Sequence, residues 1–367
     1  MRDFIPQIEP WIDGSELAQL KRVIDSTYVT EYKLTEEFEN LIKDLTGAKY
    51  AISTTNGTAA LFCCLKALNI GEGDEVIVPN ITFIASANAV IMANATPVIC
   101  EINNKNFCID TNEIESLITN KTKAIMPVHL YGQSCDMESI QKIADKHNLK
   151  VIEDAAQGVG VQFNSKHVGT FGDLGILSFY GNKTITCGEG GVVLTGSKEL
   201  RDRVYQLKNH GRLLKGKFEH ESVGFNFAFT EMQAAIGISQ LHKLQKIISR
   251  KKQIYDKYQD KFKHLKGKLD DIYVDSRCKP VWWFTSFLTS AKTQLKKYLS
   301  DKNIQTRDFF YPLHMQPCYN NEEVVFKKNG YQNSEKIYNT GISLPSSYIL
   351  SDEEQDYIID TILQFYG

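Results

Sequence analysis

Several residues sit where apolar runs of this chain end, and their types suit chemistry on a carbonyl carbon. Lys183 follows one such run in Leu177-Ser178-Phe179-Tyr180-Gly181-Asn182-Lys183, and Gly188-Glu189-Gly190-Gly191 then leads into Val192-Val193-Leu194. A lysine turned in between two buried elements is partly desolvated and loses some preference for its charged form. Its neutral amine can then attack a carbonyl to make a Schiff base. Asp154 ends the run Val151-Ile152-Glu153-Asp154, and Gln157 follows one helical turn later. In Ser53-Thr54-Thr55-Asn56-Gly57-Thr58, the glycine lets backbone approach a ligand, and a helix starting there offers unpaired amides to a phosphate. Phe83 lies shortly after Val78-Pro79, where an aromatic face could stack on a flat ring.

Taken singly, each residue has an ordinary structural use. A lysine in a hairpin is usually solvated, Asn-Gly-Thr and Asp cap helices, and an aromatic past a strand end is more often core. Together they describe one ligand. A carboxylate that keeps a pyridine nitrogen protonated makes the ring an electron sink, and Gln157 could reach the ring's phenolic oxygen. A phosphate turn, a stacking aromatic, an acid and a lysine, all near strand ends, make pyridoxal phosphate the simplest cofactor.

The elements that must position these groups alternate along the chain. Apolar runs at 50–53, 75–78, 97–102, 124–129, 150–152, 175–180 and 192–194 read as seven buried strands, with helical intervals at 58–68, 85–93 and 137–147. That alternation predicts an α/β domain with a mostly parallel sheet and a ligand at the carboxyl ends of its strands. Two helices, at 15–26 and 35–45, precede it, joined by an extended linker at 27–31. After Glu231 a long helix runs toward Leu265, and its basic run Arg250-Lys251-Lys252 reads as a solvated face. The segments 281–288 and 304–307 read as strands, 294–301 as a helix, and the Ser351-Asp352-Glu353-Glu354 capping box opens a closing helix. The expected division is a large domain over 1–245, N-terminal arm included, and a smaller α+β domain over 246–367.

Composition bounds the function. The 367 residues suffice for two domains, and a net charge of -2 gives no general attraction to nucleic acid or to an anionic membrane. The eight cysteines show no metal-like spacing and read as buried free thiols, and no metal site is expected. Without a signal-like N-terminus or a long apolar run, the chain is expected in the cytoplasm.

From about Ile5 to Tyr366 the sequence resembles the DegT/DnrJ/EryC1/StrS sugar aminotransferases, which are fold-type I enzymes. The string Ser178-Phe179-Tyr180-Gly181-Asn182-Lys183-Thr184-Ile185-Thr186-x-Gly188-Glu189-Gly190-Gly191 is especially similar to members that aminate GDP-4-keto-6-deoxymannose at C4. The resemblance implies an aspartate-aminotransferase-like fold, L-glutamate as amino donor and a nucleotide-linked 4-keto-6-deoxyhexose as acceptor. It implies that Lys183 bonds the cofactor, Asp154 pairs with the pyridine nitrogen, Gln157 meets the ring oxygen and Phe83 stacks on the ring. Gly57, Thr58 and Ser178 would hold the phosphate, joined by Asn226 of a neighbouring subunit in a homodimer with shared active sites. Arg307, Tyr311 and His314 match a Thr-Arg … Tyr-Pro-x-His stretch near the family's substrate, and structural roles for them stand beside that one. At Ala228 the family usually has arginine, so any contact that arginine makes is absent or supplied elsewhere.

Rival readings remain at this level. The acceptor could be a UDP- or dTDP-linked 4-keto sugar, or a 3-keto sugar. Related dehydratases carry histidine in place of the lysine, which Lys183 argues against. A regulatory or structural role for the scaffold is the non-enzymatic alternative.

Overall fold

The computed structural model describes residues 2–213 and 218–367. Seven strands form one sheet: β1 Tyr50–Thr54, β2 Glu75–Pro79, β3 Thr96–Cys100, β4 Thr122–Ile125, β5 Lys150–Asp154, β6 Leu174–Ser178 and β7 Gly191–Thr195. Their spatial order is β1-β7-β6-β5-β4-β2-β3. All pairings are parallel except those of β7, which runs antiparallel to both β1 and β6. Because β7 alone is reversed, β1, β2, β5 and β6 all present their carboxyl ends at the same edge.

The sheet is covered on both faces, which is why its strands read as unbroken apolar runs. Along β2, Ile77 packs into one buried cluster while Val76 and Val78 pack into another on the opposite face. Helix Gly57–Ala67 lies in the second cluster, and helix Met137–His147 and the first half of the long helix Glu231–Phe262 lie in the first.

A third cluster fills the smaller C-terminal part, where the four-stranded sheet packs against helices Lys292–Ser300 and Asp352–Tyr366. Ile5 belongs to this cluster and bridges Ile304, so the N-terminal arm lies along the C-terminal part.

Three local expectations need correction. Of the stretch 281–288, only Thr285–Leu288 is strand. Here Trp282 stacks on Tyr255, while Trp283 and Phe284 stack on each other, the first beside Lys183 and the second under Arg307. Lys251 is not on a solvated face but buried, held by two backbone carbonyls. Cys318 is exposed, while the other seven free cysteines are buried.

Candidate active site

A cavity of about 510 Å³ opens at the shared edge of the strands. One wall is built from strand ends, and the other from Trp283, Arg307 and Phe310. Past β1, Asn56 caps helix Gly57–Ala67, its side chain accepting from the Ala59 amide at 2.9 Å and its carbonyl from the Ala60 amide at 3.1 Å. The capping use of Asn56 therefore coexists with the ligand use of its neighbours. Gly57 and Thr58 keep amides with no acceptor among the described residues, both facing a helix N-terminus that favours an anion. A Cβ at Gly57 would lie 3.2 Å from the Ser178 Cβ, a tight contact, so glycine lets the turn pack closely on β6. The hydroxyls of Thr58 and Ser178 line the cavity, and neither has a hydrogen-bond partner among the described residues.

At the end of β5, Asp154 is buried and accepts from the Ser86 hydroxyl at 2.7 Å and the Ala156 amide at 3.1 Å. Ser86 sits in the first turn of helix Ala85–Met92, just past Phe83. Phe83 itself is 56% exposed, with its ring edge-on to Phe310 at 6.0 Å. The Gln157 Oε1 accepts from the Tyr131 amide at 2.7 Å, which leaves its NH2 as the donor in the cavity it lines.

Lys183 enters from the turn after β6, with its amide bonded to the Tyr180 carbonyl. Burial brings its amine down to about 8, the Asp154 carboxylate opposing that shift and the Arg307 guanidinium adding to it. Its Nζ lies 4.2 Å from the centre of the Trp283 ring, whose Nε1 donates to the Asn182 carbonyl at 2.7 Å.

The structure thus brings Gly57, Thr58, Phe83, Asp154, Gln157, Ser178, Lys183 and Arg307 around one cavity. Asn226 does not line it; it is exposed and bridges Asn209. Tyr311 and His314 do not line it either. Tyr311 packs edge-on against Tyr338, and the His314 ring is held between Asn80, Glu335 and Tyr331. Sequence reasoning missed Trp283, Ser86 and Tyr131. Trp283 and Tyr131 lie in apolar runs, and nothing in residue type separates them from core.

A family model described as the DegT/DnrJ/EryC1/StrS aminotransferase family matches residues 10–363. The chain belongs to this family. It is similar to "GDP-perosamine synthase" of Escherichia coli O157:H7, 40% identical over 371 residues that cover 99% of each chain. It is also similar to "dTDP-3-amino-3,6-dideoxy-alpha-D-galactopyranose transaminase" of Aneurinibacillus thermoaerophilus, 38% identical over 94% of each. Among solved structures, NtdA of Bacillus subtilis "with bound cofactor pmp" superposes with a TM-score of 0.87 at 31% identity, over 95% of this chain and 81% of that one. Members of the DegT/DnrJ/EryC1/StrS family use pyridoxal phosphate, and this chain is a pyridoxal phosphate-dependent sugar aminotransferase. The cavity fits that cofactor: two free amides and two free hydroxyls meet at one end, a buried carboxylate lies farther in, and an exposed aromatic face and a lysine border the space between.

Proposed function

We propose that this aminotransferase moves an amino group from L-glutamate to C4 of GDP-4-keto-6-deoxymannose, giving GDP-perosamine. What carries the chemistry in this reading is the Lys183 amine, a half-buried group with a lowered pKa set in the same cavity as the buried Asp154. The likeness to the Escherichia coli synthase, together with the Ser178–Gly191 motif, supports the acceptor.

Pyridoxal phosphate, when bound, supplies an electron sink for the carbon losing its proton. The amides of Gly57 and Thr58 and the hydroxyls of Thr58 and Ser178 would hold the phosphate. Asp154 would face the pyridine nitrogen, Gln157 would donate to the ring oxygen, and Phe83 would cover one face. Lys183, with an amine poised near neutral pH, would take the proton from the donor's Cα. It would later return a proton to the sugar carbon from one side, which fixes the stereochemistry. Arg307 is the cation placed to bind an anionic or polar substrate group. Tyr311, which does not line the cavity, would reach the substrate only from outside it, while His314 is hydrogen-bonded to Asn80. Asn226, exposed and outside its own cavity, suits the phosphate end of a partner's cavity in a homodimer. No helix among the described residues is long and apolar enough to cross a membrane.

The likeness to a dTDP-sugar transaminase favours one second reading, in which the acceptor is a dTDP-linked keto sugar. Absorbance separates the two. The protein incubated with pyridoxal phosphate is expected to show a visible band that L-glutamate bleaches and GDP-4-keto-6-deoxymannose restores. Restoration only by a UDP- or dTDP-linked keto sugar would reject the GDP acceptor, and the absence of any band in folded protein would reject the Lys183 chemistry.

A further inference from the structure

The long helix carries a second buried lysine that the site as described does not use. Lys251 is 2% exposed, and its Nζ donates to the Trp283 carbonyl at 3.1 Å and the Ser346 carbonyl at 2.8 Å. No carboxylate among the described residues pairs with it, and burial alone lowers its pKa to about 7. An amine buried against carbonyls costs more than an apolar side chain of similar length, so its partners need a reason.

Of those partners, Trp283 lines the cavity and Ser346 belongs to the smaller C-terminal part. Ser346 lies just past strand Gly341–Leu344 of the smaller sheet, and its hydroxyl accepts from the Thr285 amide at 3.3 Å. Trp283 is the residue whose ring lies against the Lys183 amine and whose indole N–H holds the Asn182 carbonyl. One turn further along the same helix, Tyr255 stacks on Trp282 at 3.6 Å. On the far side the Val281 amide is tied to the Gly132 carbonyl at 3.0 Å. The helix therefore grips the aromatic segment at two successive residues, and at Trp283 the grip is the Lys251 amine on a backbone carbonyl.

We propose that Lys251 is a positioning residue for Lys183: by pinning the Trp283 carbonyl it fixes the indole that covers the Lys183 amine and holds the Asn182 turn. This rests on Lys183 being the reacting amine, but its test needs no cofactor. In the full chain freed of cofactor, the reactivity of Lys183 toward acetic anhydride can be followed against pH by peptide mass. The wild-type midpoint is expected near 8, set by burial, Asp154 and Arg307.

Lys251→Met and Trp283→Ala are each expected to raise that midpoint by about half a pH unit or more, because water then reaches the amine. Lys252→Met, at an exposed residue paired with Asp256, is expected to leave it unchanged. A Lys251→Met protein with a lowered melting temperature and an unmoved midpoint would reduce Lys251 to a stitch between helix and strand and overturn the proposal. If Lys251→Met does not fold, Lys251→Gln, which keeps a donor for at most one of the two carbonyls, must show a smaller upward shift, and an unmoved midpoint there overturns it equally. Shifts as expected in a protein that gives no visible band with pyridoxal phosphate would leave the positioning role standing and reject the proposed chemistry.

Discussion

On one side of the cavity a backbone ladder fixes Asp154 and Ser178 at the ends of β5 and β6, and Gly57 opens the helix that follows β1, all before any side chain is considered. On the other side Trp283 and Phe310 come from segments outside any strand, and Arg307 from a strand of two residues. Contacts between side chains hold this second wall: Trp283 stacks on Phe284 at 3.8 Å, and Phe310 on Tyr131 at 5.3 Å. Where backbone holds a residue, replacing the side chain removes chemistry and leaves geometry. Where side chains hold each other, one replacement disturbs both.

The largest expected effect tests the first wall. In Asp154→Asn the remaining oxygen can accept from the Ala156 amide while the new NH2 donates to the Ser86 hydroxyl, which can turn to accept, so the fold should persist. The turnover number should fall by about 10²- to 10³-fold, the usual cost of removing one preorganised charge from a site. Wild-type turnover in a folded Asp154→Asn protein would show that the carboxylate has no electrostatic part in the reaction.

Arg307→Met probes the second wall with a smaller effect. Methionine retains apolar contact with Phe284, over which the guanidinium now sits at 5.0 Å, and removes the charge. Loss of a charged hydrogen bond of about 1.5–3 kcal/mol should raise the KM of the substrate it binds about 10- to 100-fold. The Lys183 amine, relieved of a positive neighbour, should also titrate higher. An unchanged KM for both glutamate and the sugar would remove Arg307 from substrate binding.

The first wall was legible in the sequence and the second was not. In an open parallel sheet a chemically capable residue at the end of an apolar run has one place to be, so Asp154, Gly57 and Lys183 could be set around one ligand before any coordinates. Trp283 gave no such signal, because Val281-Trp282-Trp283-Phe284-Thr285 reads as one apolar strand and its aromatics find their separate partners only when packed. Asn226 was reached through family resemblance alone, and within a single chain its side chain faces outward. Lys251 was misread from composition, yet a signal existed: it lies four residues after Ile247 and four before Tyr255, on the buried face of the long helix. Helical phase outweighs residue type when the two disagree.

The smallest expected effect isolates that buried lysine through its proton. In the unfolded chain Lys251 holds its proton up to the ordinary 10.5, whereas in the fold burial lets it go near 7. Between those values the unfolded state binds more protons, so stability rises with pH there, and whatever folding loses to the buried charge is recovered as pH climbs. Lys251→Met lacks this term while sharing every other titrating group with the wild type. The difference in melting temperature between the two should therefore drift in favour of the wild type from pH 7 to pH 10, by roughly 1–2 °C for each kcal/mol recovered in a chain of this length. A difference that stays constant over this range would mean that Lys251 keeps its proton inside the fold. The helix would then grip Trp283 with a full charge, and the second wall would owe more to electrostatics than to its aromatic stacking.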